Sequence, residues 1–132
     1  EIYELVLKCN KSIIDMIKPD FTIKDLQVKT KEILADGLIK LGIINTKEEL
    51  SKYYFHSVSH HLGLDTHDPM DRKAPLKAGN VITVEPGLYI EELGIGIRIE
   101  DDVLVTSNGS ECLSKDIIKE VSEIENYIMQ HE

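Results

Sequence analysis

No stretch of this sequence approaches the roughly 20 consecutive apolar residues that a membrane-spanning helix requires. No charged leader followed by an apolar run, the mark of a secretory signal peptide, opens it either. Cysteine is scarce: Cys9 and Cys112 are the two present, they stand far apart, and they fit no zinc or redox spacing. Two reduced thiols in a cytoplasmic protein is the reading that follows. Positive charge is also in short supply. Lysine and arginine number 15 against 24 aspartates and glutamates, for a net charge of −9. That balance leaves phosphate repulsion uncompensated and argues against nucleic acid and anionic membranes as partners. Repeats, linkers and low-complexity tracts are missing, so 132 residues read as one domain with one core. The chain opens on Glu1 rather than methionine, inside a helix-like pattern. The expectation is a partial domain whose natural beginning lies upstream.

What is present divides at about residue 55. Before it, Ile2, Leu5, Cys9, Ile13 and Met16 recur at three- and four-residue steps, predicting an amphipathic helix that Pro19 ends. Thr22 with Asp25 three residues later predicts a capping box. A second helix continues through Leu26, Ile33 and Leu34 to a C-terminus at Gly42. Thr46 and Glu49 predict a short third helix. Beyond residue 55 glycine, proline and β-branched residues become frequent. Val81 to Glu85 predicts a strand, and Pro86-Gly87 a turn. Ile95, Ile97 and Ile99 alternate with Gly96, Arg98 and Glu100, predicting a strand that Val103 to Thr106 continues or bends. Asn108-Gly109 is a hairpin signal, Cys112-Leu113 the expected start of the return strand, and Ser122 with Glu125 the start of a last helix. Helices, then mostly antiparallel strands, then a helix give an α+β fold class.

Three clusters could carry chemistry. His56, His60, His61 and His67 crowd into one segment, Glu85 closes an apolar strand, and Arg98, Glu100, Asp101 and Asp102 follow an isoleucine-rich one. Period-two geometry puts Thr83 and Glu85 on one strand face and Arg98, Glu100 and Asp102 on another. A carboxylate at the end of an apolar strand is costly to bury unpaired, and two neighbouring ones repel unless a cation lies between them. Histidine with carboxylates suits zinc, manganese, iron or cobalt. Each signal has an ordinary alternative: surface histidines, a turn glutamate, a cross-strand ion pair. A mononuclear iron site of His60, His67 and Glu85 is also open on residue types, but leaves Glu100 unexplained.

Taken in order, His56-Ser57-Val58-Ser59-His60-His61-Leu62-Gly63-Leu64-Asp65-Thr66-His67-Asp68, then Leu76 to Tyr89 with Val84-Glu85-Pro86-Gly87-Leu88-Tyr89 at its end, then Gly96-Ile97-Arg98-Ile99-Glu100-Asp101-Asp102 resemble Xaa-Pro aminopeptidase (aminopeptidase P) of the pita-bread metallopeptidases. The resemblance covers nearly the whole chain. It implies the C-terminal half of a pita-bread, creatinase/aminopeptidase-like catalytic domain: a curved antiparallel sheet with flanking helices and a metal site in its concave face. Carried over by position, His60, Glu85 and Glu100 resemble metal ligands, Glu100 bridging two ions. His56 and His67 resemble histidines that steady substrate and tetrahedral intermediate, and Tyr89 and Arg98 residues that support the site. His61 is left structural and Asp102 without a direct role.

The implied chemistry is two-metal hydrolysis of the bond before a proline in the second position of a peptide. Glu85 would shuttle a proton while His67 stabilises developing charge. The implied cofactors are two divalent cations, manganese foremost with zinc or cobalt as alternatives, and the implied assembly a homo-oligomer, a dimer. The family also places a pair of aspartate ligands before the first helix seen here. Asp25 and Asp36 have the right separation, but fall in a predicted helix and are rejected. The chain therefore carries three of the five expected ligands and is expected to be inactive and marginally stable alone. Prolidase-type dipeptidase, methionine aminopeptidase and a non-catalytic pita-bread interaction module are the competing readings.

Overall fold

The first helix, α1 (Ile2–Met16), buries Val6, Leu7, Cys9, Asn10 and Ile13, so the three- and four-residue spacing becomes its inner face. Burial pushes the Cys9 thiol up to about 12, which leaves it a packing group rather than a nucleophile. The structure, a computed structural model, describes residues 1–131. Helix α2 (Ile23–Lys40) begins at the expected capping box. The Thr22 hydroxyl accepts from the Asp25 backbone N–H at 3.1 Å, while the Asp25 carboxylate accepts from the Thr22 N–H at 2.8 Å and its hydroxyl at 2.7 Å. The helix stops where Gly42, at φ 70°, takes a left-handed conformation that a residue with a Cβ resists. Asp36 lies in the same helix and pairs with Lys47 at 2.9 Å. Asp25 and Asp36 both lie in α2, as the sequence predicts. The third helix is a single 3-10 segment, Lys47–Lys52.

The α2 cap yields a first expected result. Hydrogen bonds from the Thr22 hydroxyl, then from its backbone N–H, hold the Asp25 carboxyl below its ordinary value. A depressed folded-state pKa stabilises above the unfolded value of about 3.9 and fades as pH falls through the lower folded one. Thr22→Ala should cost about 1 kcal/mol in urea unfolding at neutral pH. The difference from the native chain should narrow in acid, as Asp25 protonates.

The strands pair in two antiparallel groups. β1 (Val81–Val84), β4 (Asp101–Val105) and β5 (Ser110–Cys112) make the first, in the order β1-β4-β5. β2 (Gly87–Ile90) and β3 (Ile95–Arg98) make the second. Pro86-Gly87 is therefore not a hairpin turn: Gly87 starts β2, and the chain steps across Glu85-Pro86 from one sheet to the other. The run Ile95 to Asp102 is likewise not one strand. It leaves the second sheet after Arg98 and joins the first at Asp101, with Ile99 and Glu100 in the crossing. Two registers meet here, Val84 opposite Asp101 and Gly87 opposite Arg98. A backbone bond from the Ile99 N–H to the Pro86 carbonyl, at 3.3 Å, joins the two crossings. Both glutamates singled out in the sequence thus sit at the seam between sheets.

The Asn108-Gly109 hairpin joins β4 to β5 as expected, but Cys112 ends the return strand instead of starting it. The last helix, α3 (Val121–His131), has no buried residue. Helix α1 packs across both sheets. The core joins its inner face to Leu26, Leu34 and Leu38 of α2 and to Ile82, Val84, Leu88, Ile90, Val103 and Val105 of the strands. No helix among the described residues is long and apolar enough to cross a membrane.

Candidate metal centre at the sheet seam

His60 reaches the seam because residues 58–62 run antiparallel beside β1, on its free edge. The Glu85 N–H donates to the Val58 carbonyl at 2.8 Å, the Thr83 N–H to His60 at 2.9 Å, and the Leu62 N–H to Val81 at 3.0 Å. This alignment sets His60 against Thr83 and its ring beside Glu85. The Thr83 hydroxyl ties the two together: it accepts from the His60 N–H at 3.1 Å and donates to Glu85 Oε1 at 3.2 Å. The sequence put Thr83 on the face of Glu85 and gave it no role. Its burial at the end of an apolar strand, one step from a carboxylate on the same face, was the available signal.

The His60 ring is oriented by its own backbone. Nδ1 lies 2.9 Å from the His61 carbonyl, an acceptor, and a proton on Nδ1 would leave Nε2 free to face a cation. That Nε2 is 3.2 Å from Glu85 Oε1, with side chains 14% and 12% exposed. Glu100 completes the group: one ligand atom from each of His60, Glu85 and Glu100 lies within 4.8 Å of the others. The burial of its carboxylate, then the charges of Glu85 and Asp102, hold the Glu100 carboxyl above its ordinary range, against the pull of His60 and Arg98. Two neighbouring carboxylates beside an imidazole nitrogen repel each other, and a cation between them would offset that repulsion. One nitrogen and two carboxylates match the donor set of manganese, zinc or cobalt, and the residues present fit such an ion.

A second group adjoins the first. Arg98 Nε donates to the Tyr89 hydroxyl at 2.8 Å, and that hydroxyl meets His56 Nε2 at 2.9 Å. His56 Nδ1 faces the Ser57 carbonyl at 2.8 Å, so Nδ1 bears the proton and Tyr89 donates to Nε2. Arg98 also lies 3.7 Å from Glu85 Oε2, linking the two groups. The His67 ring is tilted against His60 with centroids 4.5 Å apart. Thus His56, His60, His67, Glu85, Tyr89, Arg98 and Glu100 all gather at the seam. His61 pairs with Ile82 as an isolated bridge. Asp101 turns to the other side of β4, where it is buried with Ser114 and Lys119.

Gly87 makes room for the relay. A Cβ there would lie 2.7 Å from the Tyr89 hydroxyl and 2.8 Å from the Ile97 carbonyl across the β2–β3 pair. The carbonyl belongs to the backbone and cannot swing aside. Gly87→Ala should destabilise the fold by about 1–3 kcal/mol through overpacking. Chemical denaturation checks the size, and a shifted tyrosine ultraviolet absorbance would report the displaced hydroxyl.

Residues 1–107 match the profile of metallopeptidase family M24. The chain belongs to that family. Among similar proteins, the mitochondrial intermediate cleaving peptidase 55 of Arabidopsis thaliana is 41% identical over 99% of this M24 chain and 29% of its own length. The Xaa-Pro aminopeptidase of Haemophilus influenzae is 39% identical over 96% of the chain and 34% of its own. A Bacillus anthracis structure assigned as an aminopeptidase P superposes with a TM-score of 0.95 at 55% identity, covering 98% of this chain and 31% of that one. Zinc-substituted aminopeptidase P of Escherichia coli, in complex with product, gives 0.92 at 36%, covering 99% and 34%. The α+β fold is the pita-bread arrangement these structures share, and the chain spans about a third of the length of such relatives.

Proposed function

We propose that this M24 chain is the C-terminal part of the catalytic domain of an Xaa-Pro aminopeptidase, and that His60, Glu85 and Glu100 hold divalent metal in it. The observation that carries the reading is the convergence of those three donors within 4.8 Å at a seam where two sheets exchange strands. A shared cation would offset the repulsion between the two carboxylates. Manganese is the cation of first choice, with zinc or cobalt as alternatives, and two ions would serve the intact site, with Glu100 among the residues that would hold them. When bound, they would supply Lewis acidity toward a peptide carbonyl and a water of lowered pKa.

The chain's own residues supply the rest. Glu85, whose Oε1 is already a hydrogen-bond acceptor for Thr83, takes a proton and returns it to the leaving amine. His67 stands against the His60 ring at the exposed mouth and stabilises negative charge on the substrate oxygen. The Arg98–Tyr89–His56 relay holds the pocket wall and fixes the ring His56 presents to the peptide. A groove of about 690 Å³ continues from His56 past Phe55, Arg72 and Lys73. Its cations complement the terminal carboxylate of a peptide extending beyond the proline.

In a compartment, both free cysteines suit a reducing one such as the cytoplasm. A dimer is the proposed assembly of the whole protein. The described residues provide one group of three ligands, so the 132-residue chain alone should hold metal weakly and show no turnover. The test is an assay of the protein that carries this chain, with manganese, on tripeptides having proline second and on Xaa-Pro dipeptides. Release of the first residue from the tripeptides is the expected result. Cleavage of dipeptides alone would make it a prolidase, and cleavage of neither would make it a non-catalytic member of the fold.

A further inference from the structure

Asn10 lies in the middle of α1, where asparagine is a mediocre helix former, and it is fully buried. Its Nδ2 donates to the Val84 carbonyl at 3.2 Å and to the Ile99 carbonyl at 3.4 Å. These two residues immediately precede Glu85 and Glu100. They also mark the places where the chain leaves one sheet for the other, so the regular ladder between strands is interrupted there. An interrupted ladder leaves buried carbonyls in want of donors, and a carboxamide nitrogen offers two N–H groups from one atom. The arrangement has a drawback: Asn10 Oδ1 is buried without a partner, which an apolar residue would avoid.

We propose that Asn10 is a positioning residue for the metal centre. By holding both carbonyls on one nitrogen, it sets the separation of the peptide units that carry Glu85 and Glu100. Metal–ligand distances tolerate only about 0.2 Å of error, and between the strand pairs on either side, the backbone bond from Ile99 to Pro86 links the two crossings. Asn10 acts from the helix side of the sheet, away from substrate. It touches neither carboxylate; its effect passes through the backbone. The proposal rests on the metal-site reading above.

The experiment is a Mn²⁺ titration of the protein that carries the chain, followed by electron paramagnetic resonance, alongside thermal unfolding without metal. Native chain, Asn10→Ala, Asn10→Ser, Ile13→Val and Glu85→Gln are compared. Ile13 is buried on the same helix and serves as a control for general loosening. Asn10→Ala should weaken Mn²⁺ binding by about 10–100-fold, the usual effect of removing a group that orients a ligand. Asn10→Ser, which keeps one hydroxyl donor, should lose less. Ile13→Val should lower the melting temperature and leave the affinity within about twofold, a change under 0.5 kcal/mol. If Asn10→Ala does not fold, Asn10→Ser decides alone. Native affinity in the Asn10 variants, with binding abolished by Glu85→Gln, would overturn the positioning role and leave the metal site standing. Binding unaffected by Glu85→Gln would overturn the metal site and the role of Asn10 with it.

Discussion

Glu100→Gln is expected to move two properties in opposite directions. It should weaken Mn²⁺ binding by more than about 100-fold, since displacing a mere supporting group already costs about 10–100-fold. Peptide hydrolysis by the protein carrying the chain should disappear with it. The same substitution should raise the melting temperature of the metal-free chain. Partial desolvation of this otherwise exposed residue, then repulsion from Glu85 and Asp102, hold the Glu100 carboxyl above the ordinary carboxylate range. A carboxyl whose folded pKa is raised favours the fold less when ionised, and a neutral isostere removes that penalty. Asp101→Asn, one residue along, should do the reverse: affinity within a few-fold of native, stability lower. Paired titration and thermal unfolding of both variants check this. Similar losses of affinity in the two would mean that Glu100 is not a ligand.

The second large effect is expected at Lys119. Its ammonium bonds Asp101 Oδ1, which also accepts from Ser114 Oγ at 2.6 Å. The Asp101 side chain is 0% exposed and that of Lys119 17%. Burial alone would raise the Asp101 carboxyl, and the bonds from Lys119 and Ser114 more than offset it. Lys119→Met keeps much of the aliphatic stem and leaves a buried carboxylate without its cation. Breaking such a pair costs about 3–5 kcal/mol; the partial exposure of Lys119 puts the expected loss near about 3 kcal/mol in denaturant unfolding. The double variant Lys119→Met with Asp101→Leu should recover much of it, because removing both charges removes the penalty. A loss below about 1 kcal/mol in the single variant would show that water reaches Asp101.

Helices α1 and α2, the cap at Thr22 and the stop at Gly42 were legible in the sequence because their determinants are local. The period-two run from Ile95 misled for the opposite reason. Alternation continues through Ile99 and Glu100, yet Arg98 pairs with Gly87 and Asp101 with Val84, and that change of partner is a tertiary fact. Pro86-Gly87 carries a turn signature, but here Gly87 is required by the nearness of the Tyr89 hydroxyl and the Ile97 carbonyl. Residues 58–62 lack an alternating pattern altogether. Their pairing with β1 emerges from backbone bonds to Val81, Thr83 and Glu85. The seven candidate site residues were singled out because motif order carried them, whereas Thr83, which bridges the His60 N–H and the Glu85 carboxylate, and Asn10, which donates to two carbonyls, left only the trace of a polar residue on a buried face.

The central claim is that His60, Glu85 and Glu100 bind metal together. Anomalous diffraction at the manganese edge from crystals of the protein that carries the chain, soaked in Mn²⁺, tests it most directly. The expected result is a peak at the seam about 2.0–2.2 Å from His60 Nε2 and from an oxygen of each glutamate. A strong peak elsewhere, with none within bonding reach of those three residues, would contradict it.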